Sequence, residues 1–242
     1  MEDADLVIIG AGLAGAEAAW QAAERGLRVL LQEMRPQVMT PAHRTPLMAE
    51  LICSNSLKAL PIETASGLLK EEMRQLGSLV IRAADANRVP AGQALAVDRE
   101  GFSSMITRLI EGHKCIEFVR REVKELSWEV PTVIATGPLT SEAMSETIKG
   151  LFHEEHLYFY DAISPIVDAD SINRGIAFFA SRYGKGGSDY LNCPMDREQY
   201  YRFRHELTAA ERVPFRPFEK DIFFQGCMPI EEQAGLGPDA MA

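Results

Sequence analysis

Apolar positions along the chain fall into short runs and helical stripes separated by glycine, proline and small polar residues, and this pattern predicts most of the elements. Leu6 to Ile9 is a short apolar run that passes directly into Gly10-Ala11-Gly12-Leu13-Ala14-Gly15. The alanine-rich stretch Ala16 to Arg25 then reads as a helix stopped by Gly26, and Leu27 to Gln32 as a second strand with Glu33 at its end. Met39 to Pro61, punctuated by Pro41, Pro46 and Pro61, reads as an irregular loop. A helix is predicted from Leu68 to Leu76, ended by Gly77, followed near Ala84 to Ala94 by a stretch holding Pro90 and Gly92. Val97-Asp98-Arg99-Glu100 opens a helix from Phe102 to about Glu111, with Met105, Ile106, Leu109 and Ile110 at helical spacing. Ile116 to Leu126 reads as a pair of strands with Arg120 and Arg121 between them, and Thr132 to Gly137 as a buried strand.

Beyond about Ser141 the sequence becomes aromatic and strand-rich, which points to a second domain. Ile176 to Arg182 and Asp189 to Asn192 flank Gly184-Lys185-Gly186-Gly187 and fit a hairpin with a glycine-rich loop. A phosphate cradle would need a strand-to-helix context that this loop lacks, so a flexible turn is the favoured reading. A helix follows with Tyr200, Phe203 and Leu207 on one face and Arg197, Arg202, Arg204 and His205 outside it. Such a face is ordinarily a solvated charged surface. Basic residues continuing through Arg212, Arg216 and Lys220 raise the alternative of binding an anionic polymer.

The first eight or so positions after Ile9 carry the sharpest chemistry. In a GxGxxG turn between strand and helix, the first glycine allows the tight turn. The second lets a pyrophosphate approach the backbone, and the third lets the helix lie close on the strand. The phosphates then meet free N–H groups at the helix N-terminus. Glu33, at the end of the next strand, is placed to accept hydrogen bonds from ribose hydroxyls and to repel a 2′-phosphate, so FAD or NAD fits better than NADP. Strand, glycines, helix, strand and acid in this order predict an α/β fold, a Rossmann-like domain with a doubly wound, mostly parallel sheet. In such sheets ligands sit beyond the carboxyl ends of the strands, which places Gly137 where a flavin or its phosphates would pass.

A length of 242 residues allows one large domain or two small ones, and 46% hydrophobic content is ample for a core. A formal net charge of -10 argues against a broadly basic nucleic-acid coat while leaving room for a local basic face. Cys53, Cys115, Cys193 and Cys227 are far apart and form no CxxC pair, which disfavours a zinc site or a disulfide scaffold and suits a reduced cytosolic compartment. The acidic start Met1-Glu2-Asp3 does not resemble a signal peptide, and no apolar run is long enough to span a bilayer, so a soluble cytoplasmic protein without a metal is expected. Taken singly, each cysteine reads as a small core residue, and His43 and His205 as satisfied surface histidines.

Several longer strings go beyond a general nucleotide-binding pattern. Glu33-Met34-Arg35-Pro36, Thr40-Pro41-Ala42-His43, Cys53-Ser54-Asn55-Ser56-Leu57, Val89-Pro90-Ala91-Gly92 and Ala96-Val97-Asp98-Arg99 lie in the first half. Ala135-Thr136-Gly137-Pro138-Leu139-Thr140-Ser141, Asp189-Tyr190-Leu191-Asn192-Cys193-Pro194-Met195 and Phe224-Gln225-Gly226-Cys227-Met228-Pro229 continue them. Together the strings resemble the folate- and FAD-dependent tRNA (uracil-5-)-methyltransferase family.

The resemblance implies formation of ribothymidine in the T-loop of tRNA, with a one-carbon unit from 5,10-methylenetetrahydrofolate and reducing equivalents from NADH or NADPH passing through FAD. It further implies Cys227 as the nucleophile that adds to uracil C6, Cys53 as a second functional cysteine, and Gly10, Ala11, Gly12, Leu13, Ala14, Gly15, Glu33, Arg35 and Gly137 at the cofactor. Lys185, Arg197, Arg202 and Arg204 are candidates for contact with tRNA. Residues 1–140 are then expected to form the FAD-binding domain, 141–228 a smaller α+β insertion domain, and 229–242 an atypical tail. Family chains continue past Glu232 into a segment that returns to the FAD domain, so that domain is expected to be incomplete here. Thr64-Ala65-Ser66 departs from the family, which usually has an asparagine there. Two other readings stay open: a related FAD-dependent enzyme installing carboxymethylaminomethyl groups on tRNA uridine, and a catalytically inactive truncated chain.

Overall fold

Four parallel strands hold the larger of two compact units, residues 1–155 and 156–242. The computed structural model describes residues 4–152, 167–182, 185–211 and 228–241. In chain order the first unit runs β1 (Leu6–Ile9), α1 (Leu13–Glu24), β2 (Val29–Glu33), β3 (Ser56–Ala59), α2 (Ala65–Gln75) and α3 (Leu79–Ala86). It continues through β4 (Arg88–Val89), β5 (Ala94–Val97), α4 (Arg99–Glu111), β6 (Ile116–Arg120), β7 (Thr132–Ile134) and α5 (Glu142–Phe152). The second unit contains β8 (Phe178–Arg182), β9 (Lys185–Asn192), α6 (Arg197–Ala209) and α7 (Ile230–Gly235).

The main sheet has the order β6-β2-β1-β7, all parallel, with Ile8 opposite Leu31 on one side and Val133 on the other. From β1 the chain moves to β2 on one side and later returns to β7 on the other, so the topological switch point lies between β1 and β7. Every residue of β2 is buried, including Gln32 and Glu33. Helix α1 turns Gly15, Ala16, Ala19, Trp20 and Ala23 inward at spacings of three to four, and α4 does the same with Phe102, Ser103, Ile106, Thr107 and Ile110. These side chains form one core with Ile8, Val29, Leu31, Leu79 and Leu95. The helix starts are capped by side chains: Thr64, Ser78 and Asp98 accept from the N–H of Gly67, Ile81 and Gly101, each contributing about 1 kcal/mol.

Four expectations are corrected. Thr132 to Gly137 is not a buried strand: β7 is only three residues long and lies at the sheet edge, where Val133 is 38% exposed. Ile116 to Leu126 is one strand ending at Arg120, because β6 joins the parallel sheet beside β2 and has no hairpin partner. Within the region read as a loop, Ser56–Ala59 forms a strand of a small antiparallel sheet, order β3-β5-β4. Lysine 70 pins α2 to that strand, its buried Nζ donating to the carbonyls of Ala59 and Ser66. Helix α3 was not expected. It follows α2 after a three-residue joint, Leu76 to Ser78, and Ser78, directly after Gly77, is its cap.

In the second unit β8 and β9 pair antiparallel, Phe178 with Asn192 and Ala180 with Tyr190. Lys185, Gly186 and Gly187 belong to β9 and not to a loop. Helix α6 opens with a reciprocal cap between Asp196 and Gln199 and packs on α7. Arg204 Nε donates to the carbonyls of Ala234 and Gly237 at 2.9 and 3.0 Å, and Tyr201 Oη to Asp239 at 2.9 Å.

Candidate nucleotide-binding cleft

The carboxyl ends of β1, β2, β6 and β7 border an open cleft of about 530 Å³. Ile9, Gly10 and Gly12 line it from β1, Gln32 to Arg35 from β2, Arg121 to Val123 from beyond β6, and Ala135 and Thr136 from beyond β7. His43, Leu139 to Ser141 and Met144 complete the wall.

The three glycines have separable roles. Gly10 has φ +98°, and a Cβ there would stand 2.6 Å from the Ala135 carbonyl oxygen. A Cβ on Gly15 would stand 1.8 Å from the Gly10 carbonyl oxygen, so this glycine lets α1 lie against the end of β1. Around Gly12 there is nothing within 4 Å of the position a Cβ would take. The unobstructed glycine lines the cleft at the cap of α1, which carries no side-chain cap. Its N–H and those of Leu13 and Ala14 have no acceptor among the described residues. A helix N-terminus with open N–H donors and room for close approach suits a phosphate group.

Glu33 is 6% exposed and is held on three sides. Its Oε2 accepts from the Ala11 N–H at 2.9 Å, and Oε1 accepts from the Arg35 N–H and Arg35 Nε at 3.1 and 3.0 Å. Burial pushes its pKa up, but the hydrogen bond and charge of Arg35, with the two backbone donors, outweigh burial and hold it below the ordinary 4.5. The carboxylate therefore stays ionised and keeps one acceptor position of about four for a sugar hydroxyl. Arg35 is 2% exposed; besides Glu33 it contacts Glu50 Oε2 at 3.1 Å. Glu50 in turn accepts from Arg44 N, Thr45 N and Thr45 Oγ1, so the buried guanidinium ties the loop after β2 to the strand end.

Residues of the cleft that the sequence pattern did not single out are Gln32, His43, Arg121, Thr136 and Met144. His43 was read as a surface histidine, whereas it is half-buried with Nδ1 2.6 Å from Thr40 Oγ1. Burial first, then the Arg35 charge, lowers its pKa below 6.5 against the opposing pull of Glu50 and Glu33. The Thr40-Pro41-Ala42-His43 string was the available signal for it. Gln32 and Arg121 gave none, because a polar residue at a strand end and an arginine in a charged stretch are both commonplace.

The remaining expected site residues are placed as follows. Ala11 is buried behind the turn, and Leu13 is 37% exposed on the first turn of α1; neither it nor Ala14 lines the cleft. Gly137, with φ +67°, follows the cleft residue Thr136 but is not itself part of the wall. Cys53 is exposed in the loop before β3, and Cys193 is exposed after β9. Cys227 lies outside the described residues. Lys185 opens β9, and Arg197, Arg202 and Arg204 lie on α6, all in the second unit. Among the described residues no group of His, Cys, Asp or Glu is arranged to hold a metal ion, and no helix is long and apolar enough to cross a membrane.

The chain is similar to curated proteins named methylenetetrahydrofolate–tRNA-(uracil-5-)-methyltransferase TrmFO. The one from Geobacter sulfurreducens is 59% identical over 237 residues, 98% of this chain and 54% of the relative. That from Heliobacterium modesticaldum is 56% identical over 236 residues, again 98% and 54%. The chain thus spans about half the length of the curated relatives it matches. Among solved structures, GidA of Aquifex aeolicus in its form I crystal aligns with a TM-score of 0.45 at 18% identity, covering 56% of this chain and 25% of that one. Residues 5–241 match the family model described as glucose inhibited division protein A, and the chain belongs to that family.

Proposed function

We propose that this chain carries the dinucleotide cleft and part of the substrate machinery of a folate-dependent tRNA methyltransferase. Its reaction is transfer of a one-carbon unit from 5,10-methylenetetrahydrofolate to C5 of the T-loop uridine, with FAD as resident cofactor and NADH or NADPH as the visiting reductant. The observation that carries the cofactor assignment is the open space at Gly12, beside free helix N–H donors and the ionised, three-point-held Glu33. Relatives named for this reaction, 55–59% identical over almost the whole chain, support the substrate class. FAD supplies the redox chemistry that turns a methylene into a methyl group. The chain's own part is to seat the phosphates at Gly12 and the ribose at Glu33, and to present nucleophile and tRNA.

Uracil C5 is a weak nucleophile. Addition of the Cys227 thiolate at C6 pushes electron density to C5, which then attacks the methylene carbon as that carbon's bond to its donor nitrogen breaks; loss of the C5 proton expels the thiolate, and a hydride equivalent, which reduced FAD would supply, completes the methyl group and restores the ring. Cys53 is proposed as the second functional thiol, both cysteines staying reduced in the cytoplasm. Lys185, Arg197 and Arg202 are proposed to meet tRNA phosphates, giving salt-sensitive and base-insensitive binding.

Two measurements test the reading. Flavin absorbance on the purified 242-residue chain, after incubation with FAD and desalting, checks the cleft. Nucleoside analysis of tRNA treated with a full-length relative-sized protein checks the reaction: 5-methyluridine is expected, and Cys227→Ala is expected to abolish it with the flavin spectrum unchanged. Carboxymethylaminomethyl uridine as the product would overturn the assignment in favour of the related enzyme.

A further inference from the structure

Arg121 stands at the far side of the cleft from the glycine turn, exposed, and with no carboxylate partner among the described residues. A neutral group holds it instead. With the amide of Gln32, itself 3% exposed, assigned in the orientation that satisfies both its oxygen and its nitrogen, the oxygen faces Arg121 and accepts from Nε at 3.1 Å and from Nη2. This contact occupies one edge of the guanidinium without neutralising its charge, and leaves its flat face available.

The sheet fixes what that face meets. Phosphates at Gly12 lie at the end of β1, and the ribose at Glu33 lies at the end of β2. Glu33 is opposite Arg120 in the β2–β6 register, so Arg121 is one residue beyond the ribose acid on the next strand. Two strand spacings, about 10 Å, separate β6 from β1. A nucleotide anchored at Gly12 and Glu33 therefore carries its base toward β6 and away from its phosphates. A planar, weakly hydrated cation suits the face of a heteroaromatic ring better than a phosphate that already has a helix N-terminus.

We propose that Arg121, oriented by Gln32, stacks on the purine base of the cofactor at this end of the cleft. Arg121 is the contacting residue and Gln32 a positioning residue. The proposal rests on the reading of the cleft as a dinucleotide site.

Calorimetric titration of the 242-residue chain with ADP and with inorganic pyrophosphate tests it. Arg121→Ala is expected to weaken ADP about five- to tenfold and to leave pyrophosphate unchanged, while Arg121→Lys, which keeps charge and loses the plane, recovers only part of the loss. Gln32→Leu is expected to weaken ADP about threefold beside Arg121 and to have no effect on ADP in the Arg121→Ala background, a non-additivity that general destabilisation would not produce. Equal losses for ADP and pyrophosphate would make Arg121 a phosphate contact and overturn the proposal, as would full recovery by Arg121→Lys or unchanged ADP affinity in Arg121→Ala. Should Gln32→Leu fail to fold, the two variants at the exposed Arg121 decide alone. A folded wild-type chain that binds neither probe would instead overturn the dinucleotide reading itself.

Discussion

The carboxylate of Glu33 accepts the backbone N–H of Ala11 at 2.9 Å, across 22 positions of sequence. The acid that terminates β2 thereby fixes the turn that terminates β1. One side chain ties the ends of both strands together and fixes the conformation of the loop between the glycines. In most of its lone pairs Glu33 is a structural residue before any ligand arrives.

This arrangement predicts acid sensitivity in two steps. Protonating His43 is harder in the folded chain than in the unfolded one, so stability falls as pH drops through 6.5 toward its lowered folded value. Glu33 has its folded pKa below 4.5, so its contribution is present above 4.5 and is lost as pH falls below that. Thermal midpoints between pH 8 and pH 3 should show both losses, and His43→Gln should remove the upper one. If the upper step survives in that variant, another group causes it.

Gly12→Ala and Gly15→Ala should separate ligand binding from folding. Gly12 has φ −71° and open surroundings, so alanine there should leave stability within about 1 kcal/mol and weaken ADP binding. At Gly15 the added methyl collides with the Gly10 carbonyl, and a loss of about 2–3 kcal/mol is expected in urea unfolding. Equal stability of the two variants would contradict the packing role assigned to Gly15.

Arg202 and Arg204 sit two positions apart on α6 yet should respond differently. Arg204 joins α6 to the end of α7 through two carbonyls, so Arg204→Ala should increase protease cleavage within residues 156–242 and cost about 1–3 kcal/mol. Arg202 is exposed and has no hydrogen bond or ion pair among the described residues, so Arg202→Glu should leave folding intact and weaken tRNA binding with a shallower salt slope. Charge reversal at Arg204 would confound the two effects.

Thiol labelling with a chromogenic disulfide should distinguish the cysteines by access. Cys53 and Cys193 are exposed and should react quickly in the native chain, while the half-buried Cys115 should react slowly until denaturant is added. Mass spectrometry of the labelled peptides identifies each site, and fast labelling of Cys115 would show that the end of α4 opens readily.

Much of the nucleotide half was legible because its signals are local. The run into Gly10-Ala11-Gly12-Leu13-Ala14-Gly15, the alanine stripe of α1 and the acid closing β2 specify strand, turn, helix and strand within about thirty residues of sequence. What escaped depended on neighbours distant in sequence. Whether Thr132–Ile134 is buried depends on its being the last strand in the sheet order, and no window around Val133 carries that order. The role of Arg35 as a clamp between Glu33 and Glu50 required the loop after β2 to fold back, and a strand-end arginine reads equally as a ligand contact. Helix α3 was hidden by the Pro90 and Gly92 that follow it, although Ser78 after Gly77 was a usable start signal. The pairing of Gln32 with Arg121 joins residues 89 positions apart and leaves no trace in either segment.

The position of β7 next to β1 also governs when the cleft can exist during synthesis. Ile8 and Val133 are sheet neighbours, yet about 125 residues must be translated between them. At about 5–20 residues per second that interval lasts roughly 6–25 s. Throughout it one edge of β1 has no partner, and Gly10 lacks the Ala135 backbone that closes over it. Closing so long a loop is entropically costly and slow compared with pairing β1 and β2, so the nascent chain makes the β1–β2 side of the cleft first and the β7 wall last. The wall that Ala135 and Thr136 give the cleft therefore exists only in a chain that has already been translated past Thr136.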